Sequence, residues 1–143
     1  MKLRPLLLAA PLLLGAAPAL AATTTPSINV WLDHGAVWKT TPKATFTEGF
    51  LEIHNDGPTQ DVLTAWNCPD ADATTLLGKD GKPLTQLVIP AGQTVTLAPG
   101  GLYLALSGLH YGVERGTILP CSFTFQQAGL LGGFLNEVTK PEG

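Results

Sequence analysis

Turn signals constrain this chain more than any other feature. Asn55-Asp56-Gly57-Pro58, Lys79-Asp80-Gly81-Lys82, Pro90-Ala91-Gly92 and Pro99-Gly100-Gly101 recur at short intervals. Pro and Gly at such spacing break helices and favour reversals of the chain. The segments between them are short and rich in Thr, Val and Leu, and helical periodicity is nearly absent. This pattern predicts a small antiparallel β-sandwich or barrel.

The strands can be placed coarsely. Ile28–Trp31 and Val37–Lys39 are expected as a pair around Asp33-His34-Gly35. Thr45–His54 follows, then Asp61–Trp66, which ends near Pro69. Thr74–Leu77 and Leu84–Val88 flank Lys79–Lys82 and read as a tight hairpin. Thr94–Leu97, Leu102–Leu106, Thr117–Gln126 and Phe134–Thr139 complete the set. In the Thr117 segment, Cys121, Phe123 and Phe125 alternate and so share one face.

The N-terminus follows different rules. Lys2 and Arg4 precede the apolar run Leu6–Leu14, and Ala19-Leu20-Ala21 has the form of a cleavage site. Residues 1–21 read as a secretory signal peptide, leaving one domain over 22–143. The run is too short for a membrane span, and no later segment is long or apolar enough. No Cys follows the cleavage site, so a lipid anchor there is not expected. Export implies the periplasm or cell envelope.

Removing Lys2 and Arg4 reduces 8 basic residues to 6 against 11 acidic ones, a formal net charge of −5. That argues against nucleic acid and anionic membrane surfaces as partners. Cys68 and Cys121 are the 2 cysteines, an even count that in an exported chain suggests a disulfide, with two free thiols as the alternative.

Catalytic chemistry is hard to assemble from what remains. There is no Gly-x-Ser-x-Gly elbow, phosphate-binding Gly loop, His-Glu-x-x-His or Cys-x-x-Cys. Asp70 and Asp72 lie in a Pro-Asp-Ala-Asp loop, but two carboxylates without further oxygen ligands make a weak cation signal. The chain reads as non-enzymatic.

Several segments together are similar to the PCuAC family of exported copper chaperones. They are Ile28-Asn29-Val30, Ala36–Pro42, Gly49–Asn55, Asp61-Val62-Leu63, Pro69, Ile89–Val95, Pro99–Leu109, Gly116–Phe125 and Ala128-Gly129. Their order and spacing carry the resemblance across nearly the whole chain after the signal. It implies a single-domain, all-β, cupredoxin-like Greek-key fold, working as a monomer. It also implies copper as cargo, with a copper protein or oxidase subunit as partner, the family role being delivery to the oxidase CuA centre.

The family's copper ligands are not among the matches. The first family His position falls at Leu77, the second at Tyr103 and the last Met position at Ala105. The remaining Met belongs to a hairpin that is shorter here, and the chain's 1 Met is Met1. Cu(I) is soft and prefers thioether, thiolate and imidazole donors. Leu and Ala have no lone pair, and a phenol is a poor Cu(I) ligand. The family site is therefore expected to be absent, leaving an apolar surface with a tyrosine.

Cys68, Cys121, His34, His54 and His110 are the donors left for copper at a different site. If the cysteines are bonded to each other, neither can bind metal. His54 reads as a partly exposed turn residue and His34 as a loop residue beside Asp33. His110 would stand near the old site if the chain folded back after Tyr103. The alternative to copper handling is a metal-free module that uses the same sandwich for protein or small-ligand contacts.

Overall fold

The computed structural model describes residues 29–142 together with Pro11 and Gly15. The signal-peptide reading and the expected strand start at Ile28 lie outside the described residues. Nine strands form, and the described residues contain no helix: β1 (Val30–Trp38), β2 (Phe46–Asn55), β3 (Asp61–Asn67), β4 (Ala71–Leu77), β5 (Leu87–Ile89), β6 (Thr94–Leu97), β7 (Tyr103–Leu109), β8 (Ile118–Phe125) and β9 (Gly129–Val138).

The strands make one curled sheet in the order β4-β7-β2-β1-β9-β8-β3-β5, with β6 also paired to β2. Pairing is antiparallel except between β1 and β9, which run parallel. Curling lets the inward faces of both halves share one core. Ile53, Leu63, Leu76, Leu104, Leu106, Leu119, Phe123, Phe125 and Leu135 are all essentially inaccessible. A side chain of this kind contributes about 1.5–3 kcal/mol when buried, an upper estimate because unfolded chains already hide some surface. The expected face of Cys121, Phe123 and Phe125 is buried throughout.

Two expectations about strand pairing need correction. The first two segments are not a hairpin pair. They are one continuous strand, β1, with a register shift between Asp33 and Ala36. His34 adopts φ 51°, so the extra residue forms a bulge instead of a reversal. Gly35 is required there, because a Cβ would overlap the Phe134 carbonyl of neighbouring β9. The turn at 78–82 does form, with Gly78 N–H donating to the Lys82 carbonyl and Leu84 N–H to the Leu76 carbonyl. Beyond it, however, Leu87–Ile89 leaves β4 and pairs with β3.

Cys68 and Cys121 form a disulfide, with Cα atoms 4.2 Å apart. It prolongs the β3–β8 ladder one step past Asn67–Ser122. At the opposite end of β3, Asp61 is buried and tied to the β8–β9 turn. Its Oδ1 accepts from Val62 N–H at 2.7 Å and Gln127 N–H at 2.9 Å, and its Oδ2 from Ala128 N–H at 2.8 Å. Two distant parts of the sequence are thus fixed by one carboxylate.

Candidate metal site

The positions matched to the family's copper ligands lie together on β4 and β7. Leu77 pairs directly with Tyr103, and Thr75 with Ala105. Alternation puts Leu77, Tyr103 and Ala105 on one face, opposite the core-facing Leu76 and Leu104. The register from Gly49–Leu104 brings Phe50 of β2 alongside Tyr103, and Phe50 meets Trp38 edge-on at 5.1 Å. The face is largely apolar and aromatic, with Glu48 and Thr75 flanking Ala105. Leu77, Tyr103 and Ala105 do not fit a soft Cu(I) ion, since the only donor among them is a phenol oxygen.

The other candidate ligands are dispersed. The disulfide removes Cys68 and Cys121 as donors. His110 does not fold back toward Tyr103. It follows Leu109, which pairs with Ala71 at the far end of the β4–β7 ladder from Leu77–Tyr103. Six residues of strand separate these ends, roughly 20 Å at the usual rise. There His110 Nε2 meets Asp72 Oδ1 at 2.9 Å, and His110 N–H donates to the Asp70 carbonyl. Gly108 makes room for this contact, because a Cβ would come 2.5 Å from Asp72 Oδ2. Asp70 also engages Tyr111, whose phenol pKa is raised by hydrogen bonding to that carboxylate, then by burial, then by its charge. Asp70 and Asp72 therefore clasp the loop after β7.

His34 and His54 converge, which the sequence did not reveal. The bulge carries Asp33 and His34 on β1, and Asp33 pairs with Glu52 of β2. His34 Nδ1 lies 3.0 Å from Asp33 Oδ2 and 3.2 Å from Glu52 Oε2. His54 is not a turn residue. It lies within β2, opposite Trp31, and its ring stacks on the indole at 3.9 Å. Its Nε2 lies 3.3 Å from Glu52 Oε2. Strand spacing explains the cluster: Glu52 and His54 are two apart on one face, and the pairing with β1 brings Asp33 beside them. Glu52 was not singled out in the sequence because its partners come from register, not from a motif.

With this geometry in view, comparison with known proteins identifies the lineage. The sequence profile of the LpqE-like family matches residues 29–131. The chain belongs to the LpqE-like family. No curated protein matches it. Among solved structures, the apo PCuAC domain from PmoF1 is 24% identical, with a TM-score of 0.71 over 78% of this chain and 95% of that one. The copper-bound PCuAC domain from PmoF2 is 16% identical, with a TM-score of 0.70 over 78% and 94%. The Cu(I) form of DR1885 from Deinococcus radiodurans is 20% identical, with a TM-score of 0.67 over 87% of each chain. At these identities the likeness establishes the PCuAC fold. Among the described residues of this LpqE-like chain, no helix is long and apolar enough to cross a membrane.

Proposed function

We propose that the protein is an exported, non-enzymatic copper-handling protein of PCuAC type that has given up the family's Cu(I) position. The observation that carries this reading is the direct pairing of Leu77 with Tyr103, beside Ala105, at the matched positions. The fold and family speak for copper as cargo, and the side chains speak against holding it there. The signal reading of residues 1–21 and the disulfide are consistent with an oxidising compartment, the periplasm or cell envelope. Delivery would be to a copper protein or oxidase subunit, with the chain acting as a monomer. A second reading, a metal-free binding module, is favoured by the aromatic character of the Tyr103 face, where Phe46 is 49% exposed on the same strand as Phe50.

Secretion followed by equilibrium dialysis tests the choice. The intact mass of the exported protein is expected to place its N-terminus at Ala22 with the disulfide formed. The dialysed protein is expected to retain copper, and a Tyr103→Phe variant to retain the same amount. An unprocessed cytoplasmic chain would contradict export. Copper absent after dialysis in either oxidation state would leave the metal-free reading.

A further inference from the structure

We propose that Asp33, His34, Glu52 and His54 form a binding site for a borderline divalent cation, Cu(II) in preference to Zn(II), on the β1–β2 ladder. The inference rests on the copper-handling reading only for the physiological ion. The site itself is argued from geometry.

The first argument is spacing. One donor atom each from Asp33, His34 and Glu52 lies within 4.8 Å of the others. The contacts of 3.0, 3.2 and 3.3 Å run from Asp33 through His34 and Glu52 to His54. Four N/O donors at 2.0–2.1 Å would sit roughly 3.3 Å apart around a tetrahedral Zn(II), and roughly 2.9 Å (cis) or 4.1 Å (trans) apart around a square-planar Cu(II). Asp33, His34 and Glu52 therefore need little movement to close on a metal, whereas His54 touches the cluster only through Glu52 and joins it when the exposed His34 side chain swings toward it.

His54 Nε2 is fully buried and makes no hydrogen bond. It is within ion-pair distance of Glu52, but not in hydrogen-bond geometry. A buried polar atom without a partner is costly and calls for a missing one. The opposite nitrogen is already engaged, since His54 Nδ1 lies 2.9 Å from Thr94 Oγ1 on β6. The ring is clamped by Trp31, whose Nε1–H donates to Asp56 Oδ2 at 2.7 Å. A histidine held through one nitrogen, with the other left free beside a carboxylate, is how metal-ligating imidazoles are oriented.

The last argument is charge. Asp33 and Glu52 make ion pairs only with histidine among the described residues, so no Lys or Arg neutralises them. The site is reachable, because the His34 side chain is 72% exposed. Imidazole and carboxylate together suit Cu(II) and Zn(II), and Cu(II) stands above Zn(II) in intrinsic affinity. The carboxylates are hard donors that suit Cu(I) poorly, which sets this site apart from the family's.

The test is titration of the disulfide-bonded protein, residues 22–143, with Cu(II) and separately Zn(II) against glycine as a weak competitor. One equivalent of Cu(II) is expected, bound more tightly than Zn(II), with a paramagnetic resonance signal showing coupling to two imidazole nitrogens. Cu(II) should also quench the Trp31 fluorescence. His34→Gln, on an exposed side chain that the fold does not need, should weaken binding about tenfold or more, in the range seen when metal-site residues are lost. The His34→Gln/His54→Gln double variant should abolish the two-nitrogen signal, and His110→Gln should change nothing. Equal Cu(II) binding by the double variant would overturn the site and leave copper handling intact. Failure of the native protein to bind either divalent ion would overturn the site and the copper-handling reading together, leaving the metal-free module.

Discussion

Replacing Cys68 and Cys121 together with alanine is expected to lower the unfolding free energy by about 4 kcal/mol. The bond joins residues 53 apart in sequence. In the unfolded chain it closes a long loop, and the entropy thus removed from the denatured ensemble rises with loop length. The native state has little to adjust, because β3 and β8 are already paired up to Asn67–Ser122. Both cysteines are buried, so alanine at each position also leaves a small cavity. Urea denaturation should show a lower midpoint for the double variant. Reduced native protein should unfold close to it. A double variant within about 1 kcal/mol of the oxidised protein would show that the bond adds little beyond the ladder it extends.

Asp61→Ala is the second large effect, expected to cost about 3 kcal/mol or more. The carboxylate is buried and accepts three backbone N–H bonds, from Val62, Gln127 and Ala128. Alanine would strand the buried Val62 donor and the part-buried Gln127 and Ala128 donors, and a stranded buried donor costs more than a hydrogen bond contributes net. The damage would also be non-local, because the start of β3 would lose its tie to the β8–β9 turn. Asp61→Asn keeps one carbonyl oxygen and should fall between native and Asp61→Ala. Denaturant midpoints for the three proteins test the ranking. An alanine variant as stable as native would mean that water enters to replace the carboxylate at no cost.

Much of the fold was legible because it follows from local rules. Turn residues punctuate the chain, and alternation in Ile118–Phe125 declares its buried face. Thr94–Leu97 coincides with the expected strand. The failures occurred where tertiary register decides. Asp33-His34-Gly35 looks like a reversal, since a Gly after two polar residues often is one. Only the approach of β9, whose Phe134 carbonyl leaves no space for a Cβ at Gly35, shows that the chain runs straight on through a bulge. Leu87–Ile89 looked like a return strand to β4, but it meets its partner at β3.

The candidate sites divide along the same line. Leu77, Tyr103 and Ala105 were placed by the family resemblance, and the pairing of Leu77 with Tyr103 puts them on one face. His110 could not be placed, since its distance from Tyr103 depends on the direction of β7. His34 and His54 are twenty residues apart in sequence and meet through the β1–β2 register. Glu52 carries no motif at all. Its significance appears only when Asp33 is seen opposite it.

The measurement that bears most directly on the account is a Cu(I) titration of the signal-free, disulfide-bonded protein against a chromogenic chelator. The protein is expected to take no Cu(I) from the chelator, because Leu77, Tyr103 and Ala105 offer no soft donor and Cys68 and Cys121 are bonded to each other. Capture of one equivalent of Cu(I) by the oxidised protein, lost on Tyr103→Phe, would contradict it. The family position would then still hold copper through the phenol.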